Sequence, residues 1–262
     1  MKISDMLHLT ICSDLRRNIL VILKEHEKSL GELREGLKIS STTALHVLRE
    51  LENSNLTFQN KNKKYGLTNI GRIMAIKLID FVNAADVLKK QESFWIDHDM
   101  SGIPDQFLMG IGALSDSEII KINALDIIKT HNSYISSIKT AKWIKGVSPI
   151  FSSDYPIVFK EIIEKDIKTT LILTDPVLKK LTDSIGLESL KNYIYNNSLE
   201  LLINDDLRVA FTVTDSFFSF GLFTNDGVYD TAYDLISADE RAIRWGSELF
   251  EYYKGKARNY EI

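Results

Sequence analysis

The order of patterns in residues 41–71 restricts the fold of this chain more than any other feature. The segment STTALHVLRELEN places apolar side chains at the spacing of one helix face, namely Ala44, Val47, Leu48 and Leu51. After Asn55 the pattern changes to two short extended runs, LTFQN and YGLT, on either side of the polar turn KNKK. The chain is therefore predicted to pass from a helix into a β-hairpin within this segment.

Two further helices are predicted before this one. Ser13 caps the first, whose apolar residues recur on one face, and Ser29 opens a shorter second helix that Gly36 interrupts. Ser40 and Ser41 begin the third helix. Three helices followed by a hairpin are the order of a winged helix-turn-helix module.

The side chains left on the outer face of the third helix suit a DNA major groove. Hydroxyl groups near its N-terminus can bond phosphates or base edges, and a guanidinium can fork onto a guanine or a phosphate. The lysines of the hairpin turn would meet the DNA backbone, where charge matters and sequence does not. Taken singly, each residue has a simpler interpretation as part of a helix cap or a solvated turn. The candidate DNA-binding residues are Ser41, Thr42, Thr43, His46, Arg49, Lys61, Lys63 and Lys64.

The hairpin also carries a recognisable motif. The pattern Y-x-L-T-x-x-G, which closes many winged-helix modules, stands here as Tyr65, Leu67, Thr68 and Gly71. The preceding stretch ALHVLRELE resembles the recognition helix of archaeal ArsR-type regulators. The resemblance implies a DNA-binding domain over residues 1–72, with a double-stranded DNA operator as its partner.

Composition agrees with this assignment. The net charge of −4 divides unevenly, since residues 1–92 hold 15 Lys and Arg against 11 Asp and Glu, whereas the remainder is acidic. The single cysteine, Cys12, excludes internal disulfides and is expected to be a buried thiol. The lack of a signal-peptide pattern and of an apolar run of about 18 residues predicts a soluble, cytoplasmic protein that does not enter a membrane.

A long helical pattern runs from Thr68 to about Trp95 and carries two apolar surfaces. One has heptad spacing, and the other runs from Ile73 to Val82. Because a winged helix that reads a two-fold operator needs a second copy, one surface is predicted to form a homodimer while the other closes the domain's own core. The alternative is that both pack inside one chain. The predicted dimerisation residues are Met74, Leu78, Phe81, Ala85 and Leu88.

Residues 73–140 are assigned to dimerisation and linker helices, and the segment from Ile119 to Ile138 is expected to form one or two of them. Within this region Asp97, His98 and Asp99 suggest a metal site. Adjacent residues in a turn cannot all reach one ion, and further ligands are not identifiable. A structural turn after a helix is therefore favoured, and no metal is predicted.

Beyond Gly146 the pattern becomes that of an α/β domain, assigned to residues 141–262. Apolar runs such as TTLILT and RVAFTVT indicate strands, with helices between the early ones over 154–166 and 176–195. Turn signals at Asp215 and Asp226 predict an antiparallel meander. The last predicted helix spans residues 238–254 and buries Ala242, Trp245, Leu249 and Tyr252.

Two motifs of this region are more specific. F-W-x-x-H-D-x-S-G-I-P at residues 94–104 and the tail G-V-Y-D…L-I-S…W-G-x-E-L-F-E-Y-Y at 227–253 resemble archaeal regulators, common in methanogens, that join an ArsR-like winged helix to a methanogenesis regulatory protein effector domain. The resemblance covers nearly the whole chain. It implies an α+β multidomain fold: an N-terminal winged helix-turn-helix, a helical linker and a C-terminal α/β domain with a mixed sheet. That last domain is similar to the phospholipase D-like effector domains of TrmB regulators.

Catalysis has no visible residue set in the C-terminal domain. An active phospholipase D relative needs H-x-K-x-x-x-x-D, which the sequence lacks, and no P-loop, G-x-G-x-x-G, G-x-S-x-G or H-E-x-x-H occurs. No cofactor is predicted. Scattered carboxylates such as Asp175, Asp205 and Asp206 nevertheless leave a hydrolase open.

A binding role is physically easier. Ligand sites in α/β sheets lie beyond the carboxyl ends of parallel strands, and small residues on a sheet face leave room, although Gly221 would serve equally to admit a helix. The candidate ligand-binding residues are Ser152, Ser153, Thr174, Asp175, Ser219 and Gly221.

The sequence thus predicts a homodimeric, DNA-binding transcriptional regulator whose C-terminal domain senses a small-molecule effector. One alternative is an enzyme of phosphodiesterase type fused to a winged-helix interaction module. The other is a sensor regulated by a partner protein in place of a ligand. The operator, the effector and the direction of regulation stay open.

Overall fold

The structure is a computed structural model that describes residues 3–121, 138–152, 155–165 and 167–260. The chain divides into two compact units, residues 1–83 and 84–262, which are described separately. The sequence predicted a separate region of dimerisation and linker helices over 73–140, which does not match the boundary between these two units. Residues 94–121 contribute core side chains and an edge strand to the C-terminal unit, so they are part of that unit.

The N-terminal unit packs helices on a small antiparallel sheet. Its strands lie in the order β1-β3-β2. Its elements are α1 (Ile3–Ile11), α2 (Asp14–Glu25), β1 (Lys28–Ser29), α3 (Leu30–Leu37), α4 (Ser41–Asn53), β2 (Thr57–Gln59), β3 (Lys64–Leu67) and the first part of α5 (Asn69–Lys90). Helices α2 to α4 and the β2–β3 hairpin follow the order predicted for a winged helix-turn-helix.

Serine caps begin all three of the predicted helices. The hydroxyl of Ser13 accepts a hydrogen bond from the first turn of α2. Ser29 and Glu32 form a capping box on α3, and the hydrogen bonds from Ser29 lower the pKa of Glu32. The hydroxyl of Ser40 accepts from the N–H of Thr43 at 3.1 Å. Since these bonds satisfy main-chain donors that a helix N-terminus leaves unpaired, the helices begin where the sequence predicts.

A single apolar core holds the elements of this unit together. The four apolar residues predicted for the inner face of α4 are all buried. Each fully buried leucine or isoleucine contributes roughly 1.5–3 kcal/mol relative to an exposed one, so this core can hold α4 firmly. The residues packed with α4 include Ile19, Leu20, Leu23, Leu33, Leu56, Tyr65, Ala75 and Leu78.

Two expectations for this unit are wrong. Gly36 does not interrupt α3, which continues to Leu37, and Lys38 then adopts the left-handed conformation with φ of 54° that more often falls to glycine at a helix end. Cys12 is exposed, not buried. The helix before it turns Ile3 and Leu7 outward, so its apolar pattern provides no cover for the neighbouring thiol.

The threonine and glycine of the hairpin motif fix the start of α5. The hydroxyl of Thr68 donates to the carbonyl oxygen of Asn55 at 2.6 Å and accepts from the N–H of Gly71 at 3.0 Å. A Cβ on Gly71 would lie 1.8 Å from the carbonyl oxygen of Leu56, a distance at which atoms overlap. The motif therefore allows α5 to begin in direct contact with the main chain that leads into the hairpin.

The C-terminal unit is built on an eight-stranded mixed sheet of order β11-β7-β6-β5-β8-β9-β10-β4. Its elements after α5 are α6 (Glu92–Asp97), α7 (Asp105–Leu108), a 3-10 turn (Ile111–Leu114), β4 (Glu118–Lys121), β5 (Trp143–Ser148), α8 (Tyr155–Glu164), β6 (Lys168–Leu173), α9 (Asp175–Ile185), α10 (Leu187–Tyr195), β7 (Leu199–Ile203), β8 (Val209–Thr214), β9 (Phe218–Leu222), β10 (Tyr233–Ser237), α11 (Glu240–Lys254) and β11 (Arg258–Asn259).

Parallel and antiparallel parts of the sheet meet at β5. Strands β5, β6 and β7 are parallel and are connected through α8 and through α9 and α10. Strand β8 pairs with β5 in the antiparallel sense, and β8, β9 and β10 form the predicted meander. Gly227 turns the chain after β9 with φ of 86°, as the turn signal there indicates.

Two predicted helices before β5 differ in the structure. The helix expected from Thr68 to Trp95 breaks at Gln91, which separates α5 from α6. Ile119, expected in a connecting helix, lies in β4, where it pairs with Leu235 of β10 at the edge of the sheet. Residues 122–137 of that predicted helical segment lie outside the described residues.

Helix α11 covers the aromatic side of the antiparallel strands. The indole ring of Trp245 meets the rings of Phe218 and Phe220 edge to face, at centroid distances of 5.9 and 5.8 Å. Its N–H donates to the carbonyl oxygen of Phe107 at 3.0 Å. Such pairs contribute about 0.5–1.5 kcal/mol beyond the area that they bury, so the aromatic cluster fixes α11 on the sheet.

The buried side of α11 differs from the prediction at one position. Ala242, Trp245 and Leu249 are buried as predicted, but the stripe is completed by Tyr253, while Tyr252 stays half-buried. The hydroxyl of Tyr253 donates to the carbonyl oxygen of Gly102, and burial raises the pKa of this tyrosine. A polar partner inside the unit therefore decides which of the two adjacent tyrosines turns inward.

Candidate nucleic-acid interface

Helix α4 presents a polar face to solvent because its apolar face is buried. Thr42, His46 and Arg49 follow each other at the spacing of one helix face and are all exposed. Ser41 and Thr43 flank them at the N-terminus of the helix and are exposed as well. The structure therefore brings the five predicted helix contacts to one accessible end and side of α4.

The hydroxyl groups on this face are not equivalent. Among the described residues, those of Ser41 and Thr42 have no hydrogen-bond partner, whereas the Thr43 hydroxyl lies 2.8 Å from the hydroxyl of Ser40. Thr43 therefore supports the helix cap and is less available to DNA. The Nε2 atom of His46 lies 3.6 Å from a carboxylate oxygen of Glu50, and the imidazole is 74% exposed.

The turn between β2 and β3, called the wing below, is organised by Asn60. The side-chain oxygen of Asn60 accepts from the N–H groups of Asn62 at 2.8 Å and Lys64 at 3.0 Å. Lys63 adopts a left-handed conformation with φ of 61°, which reverses the chain. This geometry places Lys61, Lys63 and Lys64 at the tip of the hairpin, where all three are exposed.

The cations of the candidate interface differ from other cations of the unit in their ion pairs. In the described part of the chain, neither Arg49 nor any wing lysine forms an ion pair, although other cations of the unit do, such as Arg16 with Glu50 and Lys28 with Glu32. An exposed cation that has no acidic partner can bind a phosphate without first breaking a salt bridge. The exposed cations of this candidate interface can therefore bind a polyanion.

Sequence reasoning missed two residues of this surface. Lys38 is exposed in the turn that leads into the cap of α4. Because Gly36 was expected to interrupt α3, the left-handed backbone of Lys38 was not predicted. Asn60 organises the wing, yet its role depends on contacts that only the folded hairpin creates. An asparagine at the start of a lysine-rich turn was the available signal.

The predicted dimerisation residues are divided by the structure. Leu78 is 4% exposed in the core of the N-terminal unit and is not available to a second chain, while Met74 is partly buried and packs against the same core. Phe81, Ala85 and Leu88 are exposed as the prediction requires. The apolar residues exposed with them on α5 include Ile70 and Ile73, and Ile73 belongs to the second apolar surface predicted for this helix.

Of the candidate ligand residues, Ser152, Thr174 and Asp175 follow the carboxyl ends of the parallel strands β5 and β6. Thr174 precedes α9, and its side chain makes no capping bond. The carboxylate of Asp175 pairs with Arg258 at 2.7 Å, and its main-chain N–H donates to Asp205 at 2.8 Å. Asp175 is therefore already neutralised within the unit. Ser153 lies outside the described residues.

The room expected on the face of β9 is occupied. The hydroxyl of Ser219 donates to the carboxylate of Asp234 at 2.7 Å. A Cβ on Gly221 would lie 2.2 Å from the hydroxyl oxygen of Tyr229, so the glycine admits a tyrosine side chain and not the helix considered as the alternative. Burial raises the pKa of Asp234 to about 6. Ser219 is thus paired with Asp234, and Gly221 accommodates Tyr229.

The histidine of the first C-terminal motif contacts the second motif. His98 is buried, with Nδ1 lying 2.7 Å from the carbonyl oxygen of Phe94 and Nε2 lying 3.1 Å from the carboxylate of Asp230. Asp99 turns away and accepts hydrogen bonds from Ser101, which lower its pKa. Over the described ranges no group of three or more His, Cys, Asp or Glu is arranged to hold a metal ion.

Comparison with known proteins decides the family. Two family models match this chain: methanogenesis regulatory protein FilR1, N-terminal domain, over residues 4–86, and methanogenesis regulatory protein FilR1, middle domain, over residues 127–256. The chain belongs to the FilR1 family of methanogenesis regulatory proteins. The predicted resemblance to methanogenesis regulatory proteins is thereby confirmed.

A curated relative of this family is the methanogenesis regulatory protein FilR1 of Methanothrix harundinacea, which is 33% identical over 254 residues. The match includes 95% of this chain, which spans 56% of the length of that relative. Among solved structures, the archaeal chromatin protein TrmBL2 is similar over 98% of both chains, with 17% identity and a TM-score of 0.43. NucT from Helicobacter pylori covers 55% of this chain and 98% of its own, with 13% identity and a TM-score of 0.41.

The helices of the structure give no indication of a membrane span. In the ranges that the structure describes, no helix combines the length and the apolar character that crossing a bilayer requires. Helix α5, which is 22 residues long, carries charged residues along its length, including Lys77 and Asp80.

Proposed function

We propose that this protein is a transcriptional regulator that binds double-stranded DNA through α4 and the wing. The observation that carries the proposal is the combination of an exposed polar face on a capped helix with exposed cations that have no acidic partner among the described residues. Membership of a family of regulatory proteins supports the same conclusion. An exposed polar helix face is often no more than a solvated surface, but here a basic hairpin adjoins it.

The chemistry of each group suggests its role on DNA. The hydroxyls of Ser41 and Thr42 would bond phosphates or base edges at the N-terminal end of α4, and the guanidinium of Arg49 would form a bidentate contact with a guanine. Lys61, Lys63 and Lys64 would contact the adjoining backbone and release its counterions, so they contribute affinity without sequence preference.

We further propose that two chains form a dimer through the exposed side of α5. This surface, called the α5 stripe below, consists of Ile70, Ile73, Phe81 and Leu88, which are 49%, 62%, 59% and 45% exposed. A helix this apolar on a solvent-facing side favours a covering partner. We propose that this partner is a second copy of the chain, which would make the same contact from the other side. A two-fold operator requires such a dimer, because each copy brings one α4 to one half-site.

The C-terminal unit is proposed to sense a small-molecule effector or a partner protein. Two of the three carboxylates considered for a hydrolase are engaged, since Asp175 pairs with Arg258 and Asp205 accepts from the main chain of Asp175. An effector that prefers one conformation of the dimer would shift DNA affinity by that preference alone, typically about 1–3 kcal/mol, and DNA would shift effector affinity by the same amount.

The DNA-binding proposal is tested by titrating the full-length protein into a fluorescently labelled duplex taken from upstream of its own gene. Fluorescence anisotropy should rise with protein concentration, and the affinity should fall steeply as salt is added. A duplex of random sequence should bind more weakly. If no duplex binds even at low salt, the assignment of the N-terminal unit is wrong.

A further inference from the structure

A glutamate beside the wing makes a contact that a purely electrostatic description of the interface would not predict. Glu27 lies between α2 and β1, and its carboxylate accepts a hydrogen bond from the side-chain amide of Asn60 at 2.6 Å. These residues are 33 positions apart in the chain. The contact therefore connects the body of the N-terminal unit to the first residue of the wing turn.

The route of this contact accounts for a glycine at position 66 in β3. In the three-stranded sheet β3 lies between β1 and β2, so the Glu27 side chain must pass over β3 to reach Asn60. It does so at Gly66, where a Cβ would lie 3.1 Å from Cγ of Glu27 and 2.9 Å from the ring of Phe58. The missing side chain at Gly66 leaves the space through which the carboxylate crosses.

Asn60 uses its two side-chain groups for different purposes. Its oxygen accepts from the N–H groups of Asn62 and Lys64 and so shapes the turn, while its NH₂ group donates to Glu27. Glu27 thereby holds the amide in the orientation that leaves the oxygen facing the turn. A rotated amide would present its NH₂ group to two main-chain donors and would no longer support the wing.

We infer that Glu27 is a positioning residue for DNA binding, acting through Asn60 to hold the wing lysines in place. The inference rests on the proposed DNA-binding function. It adds a residue whose negative charge by itself would oppose DNA binding. A carboxylate near the phosphate backbone repels DNA, so its removal should strengthen binding if charge is its only effect. Loss of the hydrogen bond should weaken binding instead, since the wing would have to be ordered when DNA binds.

Two substitutions separate these effects. Glu27→Gln removes the charge but keeps an oxygen that accepts from Asn60, whereas Glu27→Ala removes both. Glu25→Ala is the matched control, because Glu25 is an exposed carboxylate at the end of α2 whose described contact is with its neighbour Lys24. The full-length variants are titrated into one labelled double-stranded DNA of random sequence, because wing contacts to the backbone do not depend on sequence.

Glu27→Gln and Glu25→Ala should bind this DNA at least as tightly as wild type. Glu27→Ala should bind about two- to tenfold more weakly, which is the range for the loss of one exposed hydrogen bond. Its salt dependence should also be shallower, by about 0.9 units of slope for each phosphate that the wing no longer binds. Urea denaturation checks that all variants are folded at the temperature of the titration.

A double-mutant cycle completes the test. Asn60→Ala should weaken binding as well, and adding Glu27→Ala to it should cause no further loss, because the hydrogen bond is already absent and only the repelling charge is removed. If Glu27→Ala binds as tightly as Glu27→Gln, or if the two alanine substitutions are additive, Glu27 has no positioning role. If wild type itself does not bind the random DNA, the proposed function fails and this inference fails with it.

Discussion

The guanidinium of Arg16 on α2 donates two hydrogen bonds to one carboxylate oxygen of Glu50 on α4, at 2.9 and 2.8 Å. The two side chains are 20% and 31% exposed, so the pair is partly shielded from water. It joins α4, the helix proposed to contact DNA, to α2. The other oxygen of Glu50 lies 3.6 Å from His46, one of the predicted DNA contacts.

Removing this pair should loosen α4. Arg16→Ala is expected to lower the free energy of unfolding by about 1 kcal/mol, because the guanidinium makes two charge-assisted hydrogen bonds but the pair is not fully buried. Urea denaturation followed by circular dichroism measures the change. Arg34→Ala, which removes an exposed cation 3.9 Å from Glu35, is the control and should have almost no effect. Equal losses of stability for the two variants would mean that the Arg16 contact contributes nothing specific.

Gly71 and Gly36 make a second, sharper comparison. Gly71→Ala would place a methyl group 1.8 Å from the main-chain oxygen of Leu56, whereas nothing lies within 4 Å of a methyl group at Gly36. Gly36 is inside α3, where alanine is favoured over glycine by roughly 0.5–1 kcal/mol. We therefore expect Gly71→Ala to prevent stable folding of the N-terminal unit and Gly36→Ala to raise its unfolding temperature. A well-folded Gly71→Ala protein would show that α5 does not contact the hairpin as described.

The carboxyl of Asp234 predicts a pH dependence. Its pKa is raised from 3.8 to about 6, so the folded protein retains a proton that the unfolded chain releases. Stability from this group is therefore fully present at low pH and is lost as pH rises through about 6, by at most about 3 kcal/mol.

Asp234→Asn tests this sign, because an asparagine oxygen can still accept from Ser219. The stability of wild type relative to this variant should fall between about pH 4 and pH 7, as measured by urea denaturation across that range. Asp183→Asn is the control, since Asp183 is exposed on α9. A relative stability that stays constant or rises over this range would show that the Asp234 carboxyl is ionised at little cost.

The α5 stripe predicts the oligomeric state. Phe81→Glu places a charge in the middle of the proposed contact, and a buried, unpaired charge disrupts an apolar interface. Sedimentation should detect monomers for this variant and dimers for wild type. Val82→Glu introduces the same charge on another side of α5, where the native side chain is 37% exposed, and should remain dimeric. Dimers of Phe81→Glu would place the contact elsewhere on the chain.

Local patterns predicted the N-terminal unit well because its signals lie close together in the sequence. The serine caps, the apolar face of α4 and the turn at the wing each depend on residues within a few positions of one another. The division of α5 was less accessible. Leu78 and Phe81 have the same apolar character and heptad spacing, and only the packing of the unit decides that one is buried and the other exposed.

Long-range pairing explains what the sequence left unpredicted in the C-terminal unit. The stretch around Ile119 has the spacing of a helix, but β10 lies beside it and converts it into an edge strand. His98 and Asp230 are 132 residues apart, so their contact could not be read from either motif alone. For the same reason Ser219 and Gly221 suggested empty space, which Asp234 and Tyr229 occupy.

The most direct test of DNA binding by α4 and the wing compares two variants on two duplexes. Arg49→Ala and Lys63→Ala are titrated by fluorescence anisotropy into the promoter duplex and into random DNA over a range of salt concentrations. Arg49→Ala should cost about 1–3 kcal/mol on the promoter and much less on random DNA, as expected for a base contact. Lys63→Ala should weaken both complexes alike and flatten the salt dependence by about 0.9 units of slope. If both variants bind both duplexes with wild-type affinity and salt dependence, α4 and the wing are not the DNA-binding surface.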